Sequence, residues 1–209
     1  SGLLQNWEPL ESLKLSPLPC RGDRPLAVFS QVKVQYCGRD VCGPVSFALH
    51  PGERVVLDGK NGSGKSSLLK VLLGESIPHS GIITTSAGLV VSYVPQDTAH
   101  LNGLLSHFAE EHHLDESLFK GILRKMGFER VQFEKKMEAF SAGQKKKVLL
   151  AASLCQPAHL YVWDEPLNFV DLHTRLQITS LLRQAQPTML FVEHDRAFQE
   201  EIATQKISL

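Results

Sequence analysis

Two adjacent acids end a run of apolar and aromatic residues in the stretch LYVWDEPLNFVD, which covers residues 160–171. Ionised side by side, Asp164 and Glu165 repel each other, and each ionised carboxylate costs free energy to keep away from water. A divalent cation on the first acid offsets this repulsion and leaves the second acid able to take a proton from water. An exposed turn with solvated acids would explain the pair alone. Its place at the end of an apolar strand, 99 residues after the lysine of a glycine-rich loop, instead predicts that Asp164 holds Mg²⁺ and that Glu165 is the base for the attacking water.

A glycine-rich segment supplies the matching phosphate chemistry. GKNGSGKS, residues 59–66, fits G-x-x-x-x-G-K-[ST] and lies between a predicted strand and a predicted helix. Such a loop directs backbone N–H groups at phosphate oxygens, and the helix N-terminus adds about half a positive charge. Lys65 can reach the β- and γ-phosphates, and the Ser66 hydroxyl can ligate Mg²⁺. The predicted phosphate-binding residues are Gly59, Lys60, Asn61, Gly62, Ser63, Gly64, Lys65, Ser66 and Ser67.

These side chains need a fold in which the ends of several strands lie at one edge of a sheet. The short apolar runs at 54–58, 160–163 and 188–192 are typical of buried parallel strands. Earlier in the chain, residues 32–36 alternate between apolar and polar, as a half-buried strand does. Residues 97–156 instead read as several helices. We therefore predict an α/β fold with a parallel-sheet core and a helical insertion.

The amino-acid composition limits the kinds of partner and the location that can be expected for this protein. Lys and Arg together number 22, as do Asp and Glu, so the formal net charge is zero. This argues against binding of nucleic acid by the charge of the whole domain, leaves a local basic patch open, and predicts no DNA partner. The sequence has no apolar run long enough to span a bilayer, which predicts no membrane-embedded part. Its four cysteines lack C-x-x-C spacing, which is typical of reduced thiols and predicts a cytoplasmic location.

A further motif connects these observations to a family. FSAGQKKK, residues 140–147, resembles the signature sequence of ATP-binding-cassette (ABC) ATPases, whose common form is Leu-Ser-Gly-Gly-Gln. Phe140 and Ala142 depart from that form. The resemblance implies that ATP and Mg²⁺ are the cofactors, and that the signature residues contact the γ-phosphate of ATP held by a different cassette. The signature residues are Ser141, Ala142, Gly143 and Gln144.

The same resemblance assigns roles to four other residues. Gln96 is similar to the glutamine that senses Mg²⁺ and the attacking water, and His194 to the histidine that contacts the γ-phosphate. Asp171 is similar to the D-loop acid that communicates across a cassette dimer. Tyr36 resembles the aromatic residue that stacks on adenine, although a tyrosine ending a strand is more often simply half-buried. The implied catalytic set is Glu165, His194 and Gln96, and the implied metal ligands are Ser66, Gln96 and Asp164.

The family fold is a P-loop NTPase cassette with a RecA-like parallel-sheet core, an antiparallel β subdomain and an inserted helical subdomain. On this chain the cassette is expected at residues 26–209, with the core at about 26–96 and 157–209 and the helical subdomain at about 97–156. Residues 1–25 contain four prolines and are expected to form an arm with a short helix near residues 10–15. Because the chain begins at Ser1, we interpret it as a fragment.

Several longer segments are similar to the ABC-F class, whose members work on ribosomes. They are GERVVLDGKNGSGKSSLLKVLLGE, YVPQD, EPLNFVDL and FVEHDRAF. EPLNFVD replaces the commoner EPTNHLD and is most similar to the antibiotic-resistance, ribosome-protection branch. The resemblance implies a second, C-terminal cassette that pairs with an N-terminal cassette and reaches the ribosome and its rRNA through a linker absent here. It also implies an Mg²⁺-dependent ATPase that is weak as an isolated cassette.

Other interpretations stay open at this stage. One is the nucleotide-binding subunit of an ABC transporter, and another is a binding module without turnover, against which Glu165 argues. Residues 120–147 hold nine Lys and Arg against three Glu, whereas residues 106–119 hold four acids and no Lys or Arg. This segment is either a face for rRNA or a ribosomal protein, or an ordinary solvated helical surface.

Overall fold

The computed structural model of this protein describes residue 10 and residues 15–209. The predicted short helix near residues 10–15 falls mainly on residues 11–14, which lie outside the described part. In chain order the described strands and α-helices are β1 (Ala27–Tyr36), β2 (Arg39–Asp40), β3 (Val45–Leu49), β4 (Arg54–Asp58), α1 (Lys65–Leu72), β5 (His79–Thr85), β6 (Val91–Val94), α2 (Leu105–Glu111), α3 (Glu116–Lys125), α4 (Arg130–Glu134), α5 (Ala142–Cys155), β7 (Leu160–Asp164), α6 (Leu172–Ala185), β8 (Met189–Val192), α7 (Arg196–Ile202) and β9 (Gln205–Ser208). A short 3-10 helix (Met137–Ala139) lies between α4 and α5.

These elements divide into two compact units. The first, called here the helical unit, contains Asp97–Pro157 and Pro166–Ala185 together with the described residues before Pro17. The second, called here the sheet unit, contains Pro17–Gln96, Ala158–Glu165 and Gln186–Leu209. The subdomain boundaries predicted from the sequence stay a prediction, and α6 belongs to the helical unit in this division.

A five-stranded parallel sheet forms the core of the sheet unit, with strand order β6-β7-β8-β4-β9. Trp163 of β7 pairs in register with Val94 of β6 and Phe191 of β8. The carboxyl ends of parallel strands lie at one edge of a sheet, where ligands of open α/β folds bind. The segments after β4, β6, β7 and β8 therefore meet at that edge, and they carry the predicted site residues of this unit.

The sequence explains why these strands lie inside. Every residue of β7 and of β8 is buried, as expected for apolar runs covered on both faces. Helix α1 contributes Leu68 and Leu69, both fully buried, to the cluster that also contains Val162 and Leu190. Burying one such aliphatic side chain contributes about 1.5–3 kcal/mol. The glycine loop is thus fixed between a buried strand and a buried helix.

A four-stranded antiparallel sheet completes the sheet unit. The long strand β1 pairs with β3, β5 and, near its end, the short β2. The register of β1 shifts between Ser30 and Lys33, where Gln31 has a φ of 50°. A Cβ on Gly81 would lie 2.2 Å from the Gln31 carbonyl oxygen, so only glycine fits opposite this irregularity. Together the two sheets confirm the predicted fold class.

Helices α2 to α6 make up the helical unit. Aromatic rings pack inside it, with 5.7 Å between the centroids of Phe108 and Phe119 and 5.6 Å between those of Phe128 and Phe140. The Asp115 side chain accepts a hydrogen bond from the Leu118 N–H at 3.0 Å and caps α3, as predicted from its position. None of the helices in the described part of the chain combines the length and apolarity needed to cross a bilayer.

Many of the basic side chains at residues 120–147 are engaged in contacts within the helical unit. The ion pairs are Lys120 with Glu116 at 2.7 Å, Arg130 with Glu134 at 3.2 Å, and Lys147 with Asp171 at 2.6 Å. The Arg124 guanidinium lies over the Phe133 ring at 5.3 Å, and Lys146 is 2% exposed. Charges engaged in this way are less able to replace the counterions of an RNA backbone. The structure therefore favours the solvated-surface interpretation of this segment.

Candidate active site

The glycine loop begins directly after β4 and ends in α1. Gly62 and Gly64 have φ angles of 80° and 89°, a left-handed backbone that favours glycine. Gly64 is also the N-cap of α1, and a residue without a side chain leaves the first N–H groups of the helix for another acceptor. Lys65 is 6% exposed, and its ammonium group donates to the Gly59 carbonyl. The loop thus forms an anion-binding concavity at the positive end of a helix.

Four side chains join into one hydrogen-bonded network at the edge of the sheet. The Ser66 hydroxyl donates to Gln96 Oε1 at 3.3 Å, and Gln96 Nε2 donates to Glu165 Oε2 at 3.0 Å. His194 Nε2 lies 3.0 Å from Glu165 Oε1. Ser66, Gln96, Glu165 and His194 were each predicted from separate parts of the sequence, and the structure brings all four together.

Glu165 has an unusual backbone for a non-glycine residue. Its φ is 48°, and its N–H donates to the Val192 carbonyl at 2.8 Å. A left-handed conformation at a non-glycine residue stores about 1–3 kcal/mol of strain and is common at functional sites. Here the conformation turns the Glu165 side chain, which is 15% exposed, toward Gln96 and His194.

Asp164 is fully buried at the end of β7. Its negative charge is felt by a neighbouring phenol: burial, together with the charges of Asp164 and Glu75, raises the pKa of Tyr93 to about 12. A cation near Asp164 would relieve the cost of keeping this carboxylate ionised in the interior.

The donor set at this edge fits Mg²⁺. It consists of the Ser66 hydroxyl, Gln96 Oε1 and the Asp164 carboxylate, and Mg²⁺ prefers oxygen ligands. The 3.3 Å between the oxygens of Ser66 and Gln96 is close to the roughly 3.0 Å that separates adjacent ligands of an octahedral Mg²⁺. Among the described residues no group of three or more His, Cys, Asp or Glu could hold a metal ion, and the predicted Mg²⁺ ligands include two neutral oxygens.

A cavity of about 610 Å³ contains this network and part of the glycine loop. Its lining residues are Tyr36, Val41, Asn61, Gly62, Gly64, Lys65, Ser66, Ser67, Gln96, Glu165 and His194. Gly59, Lys60, Ser63 and Asp164 were predicted at the site and do not line the cavity. Tyr36 is 56% exposed, with its hydroxyl 3.4 Å from the Ser67 hydroxyl, so its ring face is available for stacking. Val41 was not predicted, because only the β1–β2 hairpin brings it beside Gly64.

The signature residues lie in the helical unit and do not line the cavity. Ser141 is the N-cap of α5: its Oγ accepts from the Gln144 N–H at 3.1 Å, and Gln144 Oε1 accepts from the Ser141 N–H at 2.9 Å. This reciprocal pair is a capping box. The Ser141 hydroxyl oxygen is engaged as an acceptor, which leaves its hydrogen able to donate outward.

The D-loop residue Asp171 also lies in the helical unit, and both of its carboxylate oxygens have partners there. Oδ1 accepts from the Thr174 N–H at 2.8 Å and caps α6, and Oδ2 pairs with Lys147 Nζ at 2.6 Å. Lys147, on the signature helix, also donates to the Met126 carbonyl at 2.7 Å. A Cβ on Gly143 would lie 2.5 Å from the Phe169 carbonyl oxygen. The signature helix and the D-loop are therefore packed directly against each other.

Comparison with known proteins decides the family. The family described as ABC transporter matches residues 42–168, which is more than half of the chain. This chain belongs to the ABC family. The match includes the glycine loop, the signature residues and both acids of the opening stretch.

Individual relatives of this ABC cassette are of the ABC-F type, which confirms the resemblance seen in the sequence. The probable ATP-binding protein YheS of Escherichia coli K12 is 32% identical over 178 residues, covering 82% of this chain and 28% of YheS. The ribosome protection protein VmlR of Bacillus subtilis is 30% identical over 167 residues, covering 78% of this chain and 30% of VmlR. The chain thus spans less than a third of the length of these relatives.

The fold of the ABC cassette is also seen in solved structures. An ATP-binding subunit of an ABC transporter superposes with a TM-score of 0.70 at 23% identity, covering 88% of this chain and 85% of that one. At this identity the likeness shows the fold alone.

The ABC signature of this chain tolerates alanine at one position and excludes it at the next. Gly143→Ala is expected to destabilise the helical unit by about 1–3 kcal/mol, because the added methyl group overlaps a backbone oxygen that cannot rotate away. Urea unfolding measures the loss. The control Ala142→Gly restores the common ABC form and should cost no more than about 1 kcal/mol through helix propensity. Equal stability of Gly143→Ala and the parent chain would contradict this packing.

The ion pair of the ABC D-loop predicts an acid-dependent contribution to stability. Burial raises the pKa of Asp171, but hydrogen bonds from Lys147 and the Thr174 N–H outweigh it and lower that pKa overall. A lowered folded-state pKa stabilises the fold above the unfolded pKa of about 3.9, and the contribution disappears as pH falls through the folded value. Asp171→Asn keeps the cap and loses the charge, so it should cost up to about 1 kcal/mol at pH 7, and the cost should shrink as pH falls through the folded pKa.

Urea unfolding at several pH values tests this prediction. Glu134→Gln removes the acid of the exposed pair with Arg130 and serves as the control, with an expected cost close to zero at every pH. A cost of Asp171→Asn that does not change between pH 7 and pH 2 would show that the charge of Asp171 adds nothing.

Proposed function

We propose that this chain is the second, C-terminal cassette of a cytoplasmic ABC-F protein that hydrolyses ATP and acts on the ribosome. The observation that carries the proposal is the network in which Glu165 is held between Gln96 and His194 beside the glycine loop. The similarity to VmlR, whose name describes ribosome protection, supports the ribosomal part and a role in antibiotic resistance.

Binding of ATP follows from the charges and exposed groups of the cavity. The N–H groups at the start of α1 and the Lys65 ammonium receive the phosphates, and the exposed ring of Tyr36 stacks on adenine. Lys65 must exchange the Gly59 carbonyl for a phosphate oxygen, a change that a nearby anion favours. Val41 extends the apolar wall on the Tyr36 side.

Hydrolysis follows from the position of Glu165. Its carboxylate accepts a proton from water as the water oxygen forms a bond to the γ-phosphorus and the bond to the β-phosphate oxygen breaks. Both Glu165 oxygens are engaged by Gln96 and His194. Each carboxylate oxygen has a second acceptor position, so Glu165 can accept from the attacking water while Gln96 and His194 hold it. The family resemblance assigns His194 to the γ-phosphate as well. When bound at Ser66, Gln96 and Asp164, Mg²⁺ supplies charge neutralisation on the phosphates.

A second cassette is required for full activity. Ser141 and the N-terminus of α5 form an anion site that does not line this chain's own cavity. We therefore assign them to the nucleotide of the partner cassette, and the signature of that partner completes the site around Lys65. The isolated chain is expected to bind ATP and to hydrolyse it slowly.

Nucleotide binding is tested with a fluorescent ATP analogue in the presence and absence of Mg²⁺. Lys65→Ala should abolish measurable binding, whereas Lys70→Ala, which removes a charge from the same helix without touching the cavity, should bind like the parent chain. Equal binding by the two variants would overturn the assignment of the cavity.

The ribosomal role is tested with the full-length protein. Sedimentation through a sucrose cushion should recover it with ribosomes in the presence of ATP, and more so when the hydrolytic base is removed by Glu165→Gln. Recovery with a pair of membrane proteins in place of ribosomes would instead assign the cassette to a transporter and overturn the proposal.

A further inference from the structure

Glu193 is a buried acid that the mechanism above does not use. It follows β8 directly, precedes His194 and is 6% exposed. Ionisable side chains are rarely buried to this extent without partners, because removing a charge from water is costly. The contacts of Glu193 therefore indicate what it does.

The carboxylate of Glu193 binds the backbone of the residues that follow it. Glu193 Oε1 accepts from the His194 N–H at 3.0 Å and from the Asp195 N–H at 3.3 Å. On its other side, the Glu193 carbonyl accepts from the side chain of Gln199, a buried residue of α7. Hydrogen bonds from N–H groups to a carboxylate are charge-assisted and about twice as strong as neutral ones. Glu193 thus fixes the peptide units on both sides of His194.

The residue after His194 also binds the backbone with its side chain. Asp195 is the N-cap of α7, and its Oδ1 accepts from the Phe198 N–H at 3.0 Å. His194 is therefore held between a residue whose side chain binds its backbone and a residue that begins a helix. The carboxylates of Glu193 and Asp195 thus both hydrogen-bond to the backbone around His194.

The His194 side chain needs such support. It is 48% exposed, so packing restricts its ring little, yet Nε2 lies 3.0 Å from Glu165 Oε1. A displacement of about 1 Å at a reacting group can cost roughly a hundredfold in rate. Correct placement of the imidazole then depends on its backbone as well as on the contact with Glu165.

We propose that Glu193 is a positioning residue that sets the direction of His194 toward Glu165 by binding the amides of His194 and Asp195. The inference rests on the proposed ATPase function, in which His194 acts, and adds a residue to that site. A carboxylate suits this task because one oxygen can accept both N–H groups while its charge strengthens each bond.

The test is a double-mutant cycle in the full-length protein, followed by single-turnover ATP hydrolysis and by nucleotide affinity. Glu193→Ala should lower the hydrolysis rate about 10–100-fold, with affinity for ATP changed by less than about threefold. Glu193→Gln keeps an oxygen acceptor and should recover most of the rate. In the His194→Ala background, Glu193→Ala should have no further effect, because the group it positions is gone.

Hydrogen–deuterium exchange provides a readout that does not depend on turnover. Peptides that contain residues 193–199 should exchange faster in Glu193→Ala than in the parent protein, and Glu193→Gln should stay close to the parent. Peptides from α1 should be unchanged in both variants, which shows that the effect is local.

The outcomes distinguish a failure of the inference about Glu193 from a failure of the proposed ATPase function. Equal losses of rate for Glu193→Ala with and without His194 would mean that Glu193 only stabilises the fold, and this overturns the inference. Loss of rate in Glu193→Gln as large as in Glu193→Ala would overturn it as well. If the parent protein binds no ATP or does not hydrolyse it, the proposed function fails, whereas the exchange measurement still decides whether Glu193 holds the turn.

Discussion

Glu165→Gln should lower the rate of ATP hydrolysis about 10²–10⁴-fold while leaving ATP binding intact. The amide has nearly the shape of the carboxylate and keeps an oxygen that can accept from Gln96, so the network loses little of its geometry. It cannot take a proton from water, so it loses the chemistry. Steady-state and single-turnover phosphate release measure the rate, and a fluorescent ATP analogue measures the affinity.

The matched control for this variant is Glu134→Gln, which makes the same chemical change on the exposed surface of α4. Its hydrolysis rate should equal that of the parent protein. An unchanged rate in Glu165→Gln would place the base elsewhere, and loss of ATP binding would mean that Glu165 acts mainly on the structure of the cavity. Because hydrolysis no longer removes ATP, the variant should also accumulate in the ATP-bound form.

The left-handed backbone of Glu165 is held in place by a hydrogen bond to the neighbouring strand. A φ of 48° is costly for any residue with a Cβ, and the bond from its N–H to the Val192 carbonyl of β8 holds it there. The same strand β8 leads into His194. The positions of the base and of the histidine, which lie 3.0 Å apart, thus both depend on strand β8.

The fold and the site were predictable from the sequence where the determining chemistry is local. The glycine loop, its flanking strand and its helix follow one another within a short segment, and glycine at φ 80° and 89° is required by the backbone itself. The N-cap Asp115 was predicted for the same reason. Apolar runs identified β7 and β8, because strands buried on both faces are almost continuously apolar.

Strands and helices without a clear local pattern of apolar residues were not predicted from the sequence. Strand β2 has two residues, α7 has seven, and β9 is largely exposed, so none of them has a clear apolar period. Strand β9 forms by pairing with β4, whose residues lie far from it in the sequence. No pattern within β9 could have revealed that partner.

Contacts that form only through tertiary packing could likewise not be predicted from the sequence. The motif predicted Asp171 as a residue that faces another cassette, whereas the structure shows both of its oxygens engaged by Thr174 and Lys147. Charge counting over residues 120–147 favoured no single interpretation, because it could not show which lysines already have acidic neighbours. The role across a cassette dimer stays a prediction, and within its own unit Asp171 orders the D-loop.

Trp163→Ala should reduce the free energy of unfolding of the sheet unit by about 3–5 kcal/mol, the usual cost of removing a fully buried large aromatic side chain. Trp163 is 0% exposed and pairs in register with Val94 and Phe191, both also buried, so the neighbouring strands cannot close the cavity without losing their pairing. Urea unfolding followed by far-UV circular dichroism measures the loss, because the substitution removes a fluorescent group.

Two controls separate burial from other effects of this substitution. Ile82→Ala removes an aliphatic side chain that is 64% exposed on β5 and should change stability by no more than about 0.5 kcal/mol. Trp163→Phe keeps a ring in the core and should lose less than Trp163→Ala. A loss below about 1.5 kcal/mol for Trp163→Ala would mean that the core collapses onto the vacated space. Asp164 and Glu165 follow Trp163 directly, so such a collapse would move the acids and would appear as a change in ATP hydrolysis.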